Sequence, residues 1–134
     1  MRKVNKIILH CAAANIVDKD LFAIVNQWHL NRGWSGCGYH YLIRKDGGII
    51  LGRNVSKEGA HCKGQNHDSI GIMLNGDRKF THKQFLSLAK LCYNLIDIFD
   101  LKESDIYGHN YYTDKKTCPN FRVEDFLSRY MLCR

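Results

Sequence analysis

The sequence predicts an α/β fold in which a central mixed β-sheet is flanked by about three helices. Short runs rich in isoleucine and leucine alternate along the chain with longer stretches whose apolar residues recur at helical spacing. Chains of this kind pack helices on the faces of a sheet. The 134 residues are enough to bury one core. We therefore expect residues 1–134 to form a single domain.

The chain begins with a predicted strand and helix. Residues 4–9 have the apolar content of a buried strand that ends at His10. Asp18 is a candidate N-cap for a helix over residues 19–31. The apolar residues of this helix recur at helical spacing: Leu21, Ile24, Val25 and Trp28. We expect His29 to be a surface residue of this helix, and a place at the functional site is the less favoured alternative.

A hairpin and a long loop are predicted next. Residues 39–43 have the aromatic and branched content of a strand, and the turn at 45–48 leads into a second short strand at 49–51. Residues 52–66 show no sustained periodicity, so we expect a long loop over the sheet. Loops of this length are often functional.

The second half of the chain predicts a buried strand and the longest helix. Residues 69–74 form the strand, in which Gly71 suggests the close approach of another backbone. Residues 81–84 have the form of a capping box, which opens a helix that ends near residue 99. We expect an inward face made of Phe85, Leu88, Leu91, Cys92, Leu95, Ile96 and Phe99.

A short strand, a loop and a last helix are predicted at the end of the chain. Residues 106–108 would form a strand that presents His109, and Pro119 stops regular structure. An amphipathic helix from Val123 would then place four residues on the core: Phe126, Leu127, Tyr130 and Met131.

Composition excludes several classes of function. Twenty lysines and arginines against thirteen acidic residues give a net charge of +7, which attracts polyanions in general. No predicted helix carries a basic stripe with interleaved aromatic residues, so we do not expect specific nucleic-acid binding. No run approaches the roughly 20 apolar residues of a membrane span.

The N-terminus and the cysteines favour an intracellular start. Lys6 interrupts an apolar stretch that is already shorter than the roughly 7 to 15 residues of a secretory signal. We therefore expect an unprocessed protein made in the cytoplasm. The six cysteines of such a chain are expected to be free thiols.

Three distant residues are candidates for a metal site. His109 and Cys118 lie in one polar stretch, and His10 ends the first strand. Together they would provide two nitrogens and one sulfur, and a catalytic zinc site uses three protein ligands and leaves a fourth position for water. On spacing alone, structural roles for these three side chains remain open.

Several short motifs occur in the order of one known family: Ile8-Leu9-His10-Cys11, Gly38-Tyr39-His40-Tyr41, Ala60-His61, Asn66-His67-Asp68-Ser69-Ile70-Gly71-Ile72, Gly108-His109 and Lys116-Thr117-Cys118-Pro119. In this order the chain resembles the type-2 N-acetylmuramoyl-L-alanine amidases. These include amidase-type phage lysozymes and, more distantly, the animal peptidoglycan recognition proteins. The resemblance implies a mixed sheet with helices on its faces and a zinc site in a surface groove.

The resemblance also implies an activity and a set of site residues. Residues matching His10, His109 and Cys118 bind one zinc ion, and residues matching Tyr39 and Lys116 are required for catalysis. The implied reaction is hydrolysis of the amide bond between N-acetylmuramic acid and L-alanine in peptidoglycan. Without the resemblance, Tyr39 would be a half-buried strand residue and Lys116 a solvated one.

Other roles follow less directly from the resemblance. His61 matches a position beside the substrate groove, and Arg53, Asn66 and His67 are further candidates for substrate contacts. A loop histidine satisfied by backbone is the alternative for His61. No His-Glu-x-x-His motif supplies a glutamate base. The general base is thus unassigned, with Tyr39 acting through water as our hypothesis.

Alternative functions are a binding module without catalysis and an amidase that also inhibits another protein such as an RNA polymerase. Cys118 favours catalysis, because non-catalytic members of the family typically lack the metal thiolate. An endolysin or autolysin-like enzyme of phage or prophage origin, acting as a monomer, would reach the wall once the membrane is permeabilised.

Overall fold

The computed structural model describes residues 2–131 as a five-stranded mixed sheet with helices on both faces. The strands are β1 (Lys6–Cys11), β2 (Tyr41–Ile43), β3 (Ile49–Leu51), β4 (Ser69–Leu74) and β5 (Ile106–Gly108). They lie in the order β3-β2-β4-β1-β5. Only the β2–β3 hairpin is antiparallel, and the other three pairings are parallel. The predicted fold class is confirmed.

Three α-helical segments lie within the described residues. They are α1 (Leu21–Asn31), α2 (His82–Phe99) and α3 (Val123–Phe126), and a π-helical turn (Leu127–Met131) extends the last of them. None of the helices in residues 2–131 is long and apolar enough to cross a membrane. The number and order of these helices agree with the sequence-based prediction.

The central strands β1 and β4 are buried on both faces, which explains their near-continuous apolar sequences. Alternate residues point to opposite sides of a sheet. Ile7 and Leu9 therefore join the core under α2 and α3. On the other side, Met73 packs with Leu42 and with α1. His10, one residue after Leu9, belongs to this α1 side of the sheet.

The start of α1 differs from the prediction. Asp18 is not an N-cap, because it lies in a 3₁₀ turn (Asp18–Asp20) that precedes the helix. Its carboxylate instead accepts hydrogen bonds from the backbone N–H of Lys45 at 2.8 Å and from the side-chain amide of Asn75 at 3.0 Å. Asp18 thus ties the start of α1 to the β2–β3 turn.

The buried stripe of α1 also differs from the prediction. Trp28 is 40% exposed, whereas His29 is 4% exposed. The buried residues Leu21, Val25 and His29 follow each other at four-residue intervals, so they form one face. His29 can be buried because its Nδ1 accepts a hydrogen bond from the backbone N–H of Gly38 at 2.7 Å. The expectation of an exposed His29 was wrong.

Strand β4 corrects another expectation, which concerned Gly71. A Cβ atom at Gly71 would lie 2.5 Å from Cγ of His61, so the close neighbour is an imidazole ring rather than a backbone. The adjacent His40 is fully buried, and its Nδ1 accepts from the backbone N–H of Gly71 at 3.0 Å. His40 therefore packs against β4 and satisfies a backbone donor of that strand.

The five cysteines within residues 2–131 are free thiols, as expected, and Cys133 lies outside the described residues. Cys92 is fully buried on α2. The predicted inward face of α2 is confirmed, because all of its residues belong to or pack against one apolar core.

The capping box of α2 generates a prediction for stability. The hydroxyl of Thr81 accepts a hydrogen bond from the backbone N–H of Gln84 at 3.1 Å. The side-chain oxygen of Gln84 in turn accepts one from the backbone N–H of Thr81 at 2.9 Å. We expect Thr81→Ala to lower the free energy of unfolding by about 1 kcal/mol. Urea denaturation followed by circular dichroism measures the change. Thr81→Ser, which keeps the hydroxyl, should retain most of the stability, and equal losses for both variants would contradict a capping role.

Candidate active site and metal centre

The register between β1 and β5 brings two histidines together. Leu9 pairs with Gly108 in this parallel ladder, so the next residues, His10 and His109, follow at the same edge of the sheet. Their Nδ1 atoms lie 3.1 Å apart. Tetrahedral zinc with two nitrogen ligands at 2.0–2.1 Å holds those nitrogens roughly 3.4 Å apart. The geometry of this pair therefore fits a shared zinc ion.

The environment favours the neutral, metal-binding form of both histidines. His10 is 1% exposed, and burial lowers the pKa of its imidazole well below the usual range, helped by the neighbouring His61 and His109. Burial also lowers the pKa of His109, and the positive charge of Lys116 adds to this effect. Neutral imidazoles have a free lone pair at one nitrogen, which is the form that binds metal.

Cys118 is held beside Cys11, with the two sulfurs 3.0 Å apart. The hydrogen bond from the Cys11 thiol lowers the pKa of Cys118, and Lys116 lowers it further, while the pKa of Cys11 is raised. Both effects favour the thiolate form of Cys118 over that of Cys11. A thiolate is the form of cysteine that binds zinc.

These candidate ligands line one cavity of about 200 Å³, which we call the site cavity. Its polar lining consists of His10, Cys11, His29, Arg32, Tyr39, His61, His109, Lys116 and Cys118. Within residues 2–131, no three histidine, cysteine or acidic side chains meet closely enough to hold a metal as they stand. The Nδ1 atoms of His10 and His109 face each other, whereas the sulfur of Cys118 is hydrogen-bonded to that of Cys11. The three-ligand assignment therefore stays a prediction.

Tyr39 and Lys116 both border the site cavity. The ring of Tyr39 lies 5.0 Å from that of His10 between centroids. Burial raises the pKa of the Tyr39 phenol, so its hydroxyl stays protonated at neutral pH. A protonated phenol donates a hydrogen bond and cannot act as a base. This favours Tyr39 as a donor over the hypothesis of base catalysis through water.

His29 is the site residue that sequence reasoning missed. It lines the site cavity, with its ring 5.3 Å from that of Tyr39 and 4.7 Å from that of Trp34. Burial lowers the pKa of His29 to about 4, with contributions from Arg32 and Arg53. The signal that could have found it is its spacing of four and eight residues from Val25 and Leu21.

The candidate substrate contacts separate into two groups. His61 and Asn66 line a wider groove that adjoins the site cavity, which we call the outer groove. Its long side chains are Arg32, Trp34, Lys63, Tyr112, Lys115 and Lys116. Arg53 and His67 are not among the described residues that line either space.

The contacts of Arg53 and Asn66 brace the loop itself. The guanidinium of Arg53 donates to the carbonyl of Glu58 at 3.0 Å. The side-chain carbonyl of Asn66 accepts from the backbone N–H groups of His61 at 2.9 Å and Cys62 at 3.0 Å. Both residues therefore shape the loop over the sheet, and their contact with substrate stays a prediction.

Comparison with known proteins identifies the family. The profile of the N-acetylmuramoyl-L-alanine amidase family matches residues 1–121. The chain belongs to this family. The endolysin of Escherichia phage T7 is 33% identical over 126 residues, which cover 88% of this chain and 82% of that protein. The endolysin of Klebsiella phage KP32 is 29% identical and covers 92% of this chain and 85% of its own length.

Solved structures agree with this assignment. The N-acetylmuramoyl-L-alanine amidase LysC from Clostridium intestinale superposes with a TM-score of 0.83 at 31% identity, covering 95% of this chain and 85% of that one. Drosophila PGRP-LB superposes with a TM-score of 0.83 at 25% identity, covering 98% and 83%. The protein is therefore an N-acetylmuramoyl-L-alanine amidase that hydrolyses an amide bond of peptidoglycan.

The burial of His29 generates a prediction about pH. The unfolded state binds a proton near pH 6.5, whereas folded His29 does so only near pH 4. Stability from this residue is therefore complete above pH 6.5 and is lost as the pH falls towards 4, by about 1.4 kcal/mol per pH unit. His29→Asn offers an oxygen to the Gly38 N–H without a titrating ring. Its unfolding free energy should fall less steeply over this range.

The measurement is urea denaturation at several pH values in buffer with a chelator, so that metal release does not contribute. Other buried histidines titrate in both proteins, and the difference in slope isolates His29. His67→Asn, which removes an exposed histidine, is the matched control. Equal slopes for His29→Asn and the unmodified protein would show that folding does not lower the pKa of His29.

Proposed function

We propose that the protein is a zinc-dependent amidase that cleaves between the lactyl carbonyl of N-acetylmuramic acid and L-alanine. One zinc ion per chain would be held by His10, His109 and Cys118. The observation that carries this proposal is the 3.1 Å separation of the two Nδ1 atoms inside a cavity that Cys118 also lines. The lowered pKa of Cys118 supports it, because the thiolate would be available near neutral pH.

The donor set suits zinc in chemical type as well as in spacing. Two imidazoles and one thiolate leave a fourth tetrahedral position open, which is the pattern of catalytic rather than structural zinc sites. When bound, zinc would activate a water molecule and polarise the scissile carbonyl. For this to occur, Cys118 would have to turn its sulfur from Cys11 towards the histidine pair.

Tyr39 and Lys116 would stabilise the negative charge that develops on the carbonyl oxygen. The Tyr39 hydroxyl stays protonated, and the ring of Tyr39 lies 5.0 Å from that of His10 between centroids. Its hydrogen bond to the oxygen would strengthen as the charge grows. Lys116 borders both the site cavity and the outer groove. From there it would stabilise the same charge electrostatically.

The outer groove would bind the muramoyl peptide. Its four cationic side chains, Arg32, Lys63, Lys115 and Lys116, suit the carboxylates of a peptide stem, and Trp34 and Tyr112 offer aromatic surface to a sugar or a peptide. His61 and Asn66 form part of its floor. The net charge of +7 would help to retain the enzyme on an anionic wall.

The remaining expectations concern cellular context. We propose synthesis in the cytoplasm and action on the wall after release, with residues 1–134 as the catalytic domain. We also propose that the protein does not bind specific nucleic acid sequences. Monomeric behaviour and any additional inhibition of another protein stay predictions that size-exclusion chromatography and binding assays would test.

An assay on peptidoglycan tests the proposed function. Purified protein is incubated with peptidoglycan with and without a chelator, and new amino termini are quantified against new reducing ends. We expect L-alanine amino termini that disappear with the chelator and return with added zinc. Retention on the wall without cleavage would indicate a binding module, and new reducing ends would indicate a glycosidase.

Two variants separate the proposed roles. Cys118→Ser should lose bound zinc and activity together, because a serine hydroxyl is a poor replacement for a thiolate ligand. Tyr39→Phe should keep zinc and lose about 10² to 10³ in kcat, the usual effect of removing one oxyanion donor. Zinc is measured by atomic emission spectroscopy. Full zinc content in Cys118→Ser would refute the ligand assignment, and full activity in Tyr39→Phe would refute its role.

A further inference from the structure

A chain of hydrogen bonds runs from the backbone into the site cavity through His61. The hydroxyl of Ser69 lies 2.7 Å from the carbonyl oxygen of Gln65 and 3.1 Å from Nε2 of His61. Nδ1 of His61 lies 2.9 Å from Nε2 of His10. Nδ1 of His10 then faces His109 at 3.1 Å. Ser69 is fully buried, and His61 and His10 are 8% and 1% exposed.

The fixed end of this chain determines where every proton lies. A carbonyl oxygen can only accept, so Ser69 must donate its single hydrogen to Gln65. The Ser69 oxygen can then only accept from His61, which places the proton of that ring on Nε2. Nδ1 of His61 is therefore unprotonated and can only accept a hydrogen bond. Its partner, Nε2 of His10, must carry a proton and donate that bond.

The consequence for His10 is a single tautomer. With its proton on Nε2, the lone pair of His10 lies on Nδ1 and points towards His109 and the site cavity. Histidine ligands of metals usually donate their second nitrogen to a fixed acceptor, which sets the ring orientation and the tautomer. Here the acceptor is a second imidazole, whose own tautomer is fixed by Ser69.

The packing around His61 keeps its ring in this orientation. A Cβ at Gly71 would lie 2.5 Å from Cγ of His61, and a Cβ at Gly59 would lie 2.6 Å from its Cδ2. The ring therefore occupies a slot between two glycines that no other residue type would leave open. Ser69 and Gly71 are two residues apart on β4, so both face the same side of the sheet as the ring.

We propose that His61 is a positioning residue for the metal centre: with Ser69 as its anchor, it holds His10 in the Nε2–H tautomer. This inference rests on the proposed zinc site. It differs from the substrate contact that the sequence suggested for His61. Both ring nitrogens already have partners inside the protein, so neither is free to bind substrate.

The two roles predict different measurements. A residue that contacts only substrate would raise KM and leave zinc affinity unchanged. A residue that sets the tautomer of a ligand would weaken zinc binding, by about 10- to 100-fold for partners of this kind. Zinc affinity is measured by competition with a chromophoric chelator, and it does not require turnover.

A matched pair of substitutions isolates the acceptor at Nδ1. His61→Asn places a side-chain oxygen near the position of Nδ1, where it can accept from His10. His61→Leu has similar bulk and no acceptor. We expect at least a 10-fold weaker zinc affinity for His61→Leu and a substantially smaller loss for His61→Asn. Equal affinities for His61→Leu and the unmodified protein would overturn the proposal.

Ser69→Ala tests the anchor without changing either ring. Removal of the hydroxyl frees His61 to place its proton on either nitrogen, so zinc affinity should fall, although less than in His61→Leu. Circular dichroism and thermal unfolding check that each variant is folded. Zinc affinity unchanged in a folded Ser69→Ala would refute Ser69 as the anchor.

Nuclear magnetic resonance tests the tautomer directly. Long-range ¹H–¹⁵N correlation spectra of the zinc-free protein should show His10 protonated at Nε2 and unprotonated at Nδ1. In Ser69→Ala the two nitrogens should move towards averaged shifts. A proton on Nδ1 of His10 in the unmodified protein would overturn the proposal. The spectra also separate the two claims, because an unmodified protein that binds no zinc refutes the metal centre while this tautomer assignment can still hold.

Discussion

The parallel register between β1 and β5 is the constraint on which the site depends. It pairs Leu9 with Gly108 and so delivers His10 and His109 as neighbours at one edge of the sheet. The register is set by burial, because β1 lies between β4 and β5 and its residues 7–11 are buried. A shift by one residue would send His10 to the α2 side of the sheet. The apolar residues of β1 thus determine the positions of His10 and His109 without taking part in their chemistry.

Polar contacts hold the irregular loop over the sheet in place. Arg2 donates to the backbone carbonyls of Val55 at 3.0 Å and Ser69 at 2.9 Å, which ties the loop to β4. Asn66 accepts from two consecutive N–H groups and closes the turn that carries His61. These bonds satisfy backbone groups that a long loop would otherwise leave unpaired. The loop therefore holds the ring of His61 against Gly71, in a position from which it can hydrogen-bond to His10.

The sequence predicted the elements well and their contacts less well. Strand periodicity and the Thr81 capping box are local signals, so β4 and α2 were found close to their observed bounds. The burial of His29 was missed because its partner, the N–H of Gly38, comes from a different part of the chain. The reason for Gly71 was also missed, since the ring that fills its space is ten residues away. Such pairings depend on tertiary structure, which single-sequence patterns do not contain.

The three candidate ligands are positioned by different means, and this explains why only two of them are already paired. His10 and His109 are set by the sheet, whose geometry is rigid. Cys118 lies in a loop. Its backbone is fixed by a hydrogen bond from the N–H of Asn110 to the Cys118 carbonyl at 2.8 Å, but this bond does not fix the direction of the side chain. Cys11 is the partner of the Cys118 sulfur here, and the contact between the two sulfurs lowers the pKa of Cys118. The positive charge of Lys116 lowers the pKa of Cys118 independently of Cys11, so it would still favour the thiolate once the sulfur turns towards the histidine pair.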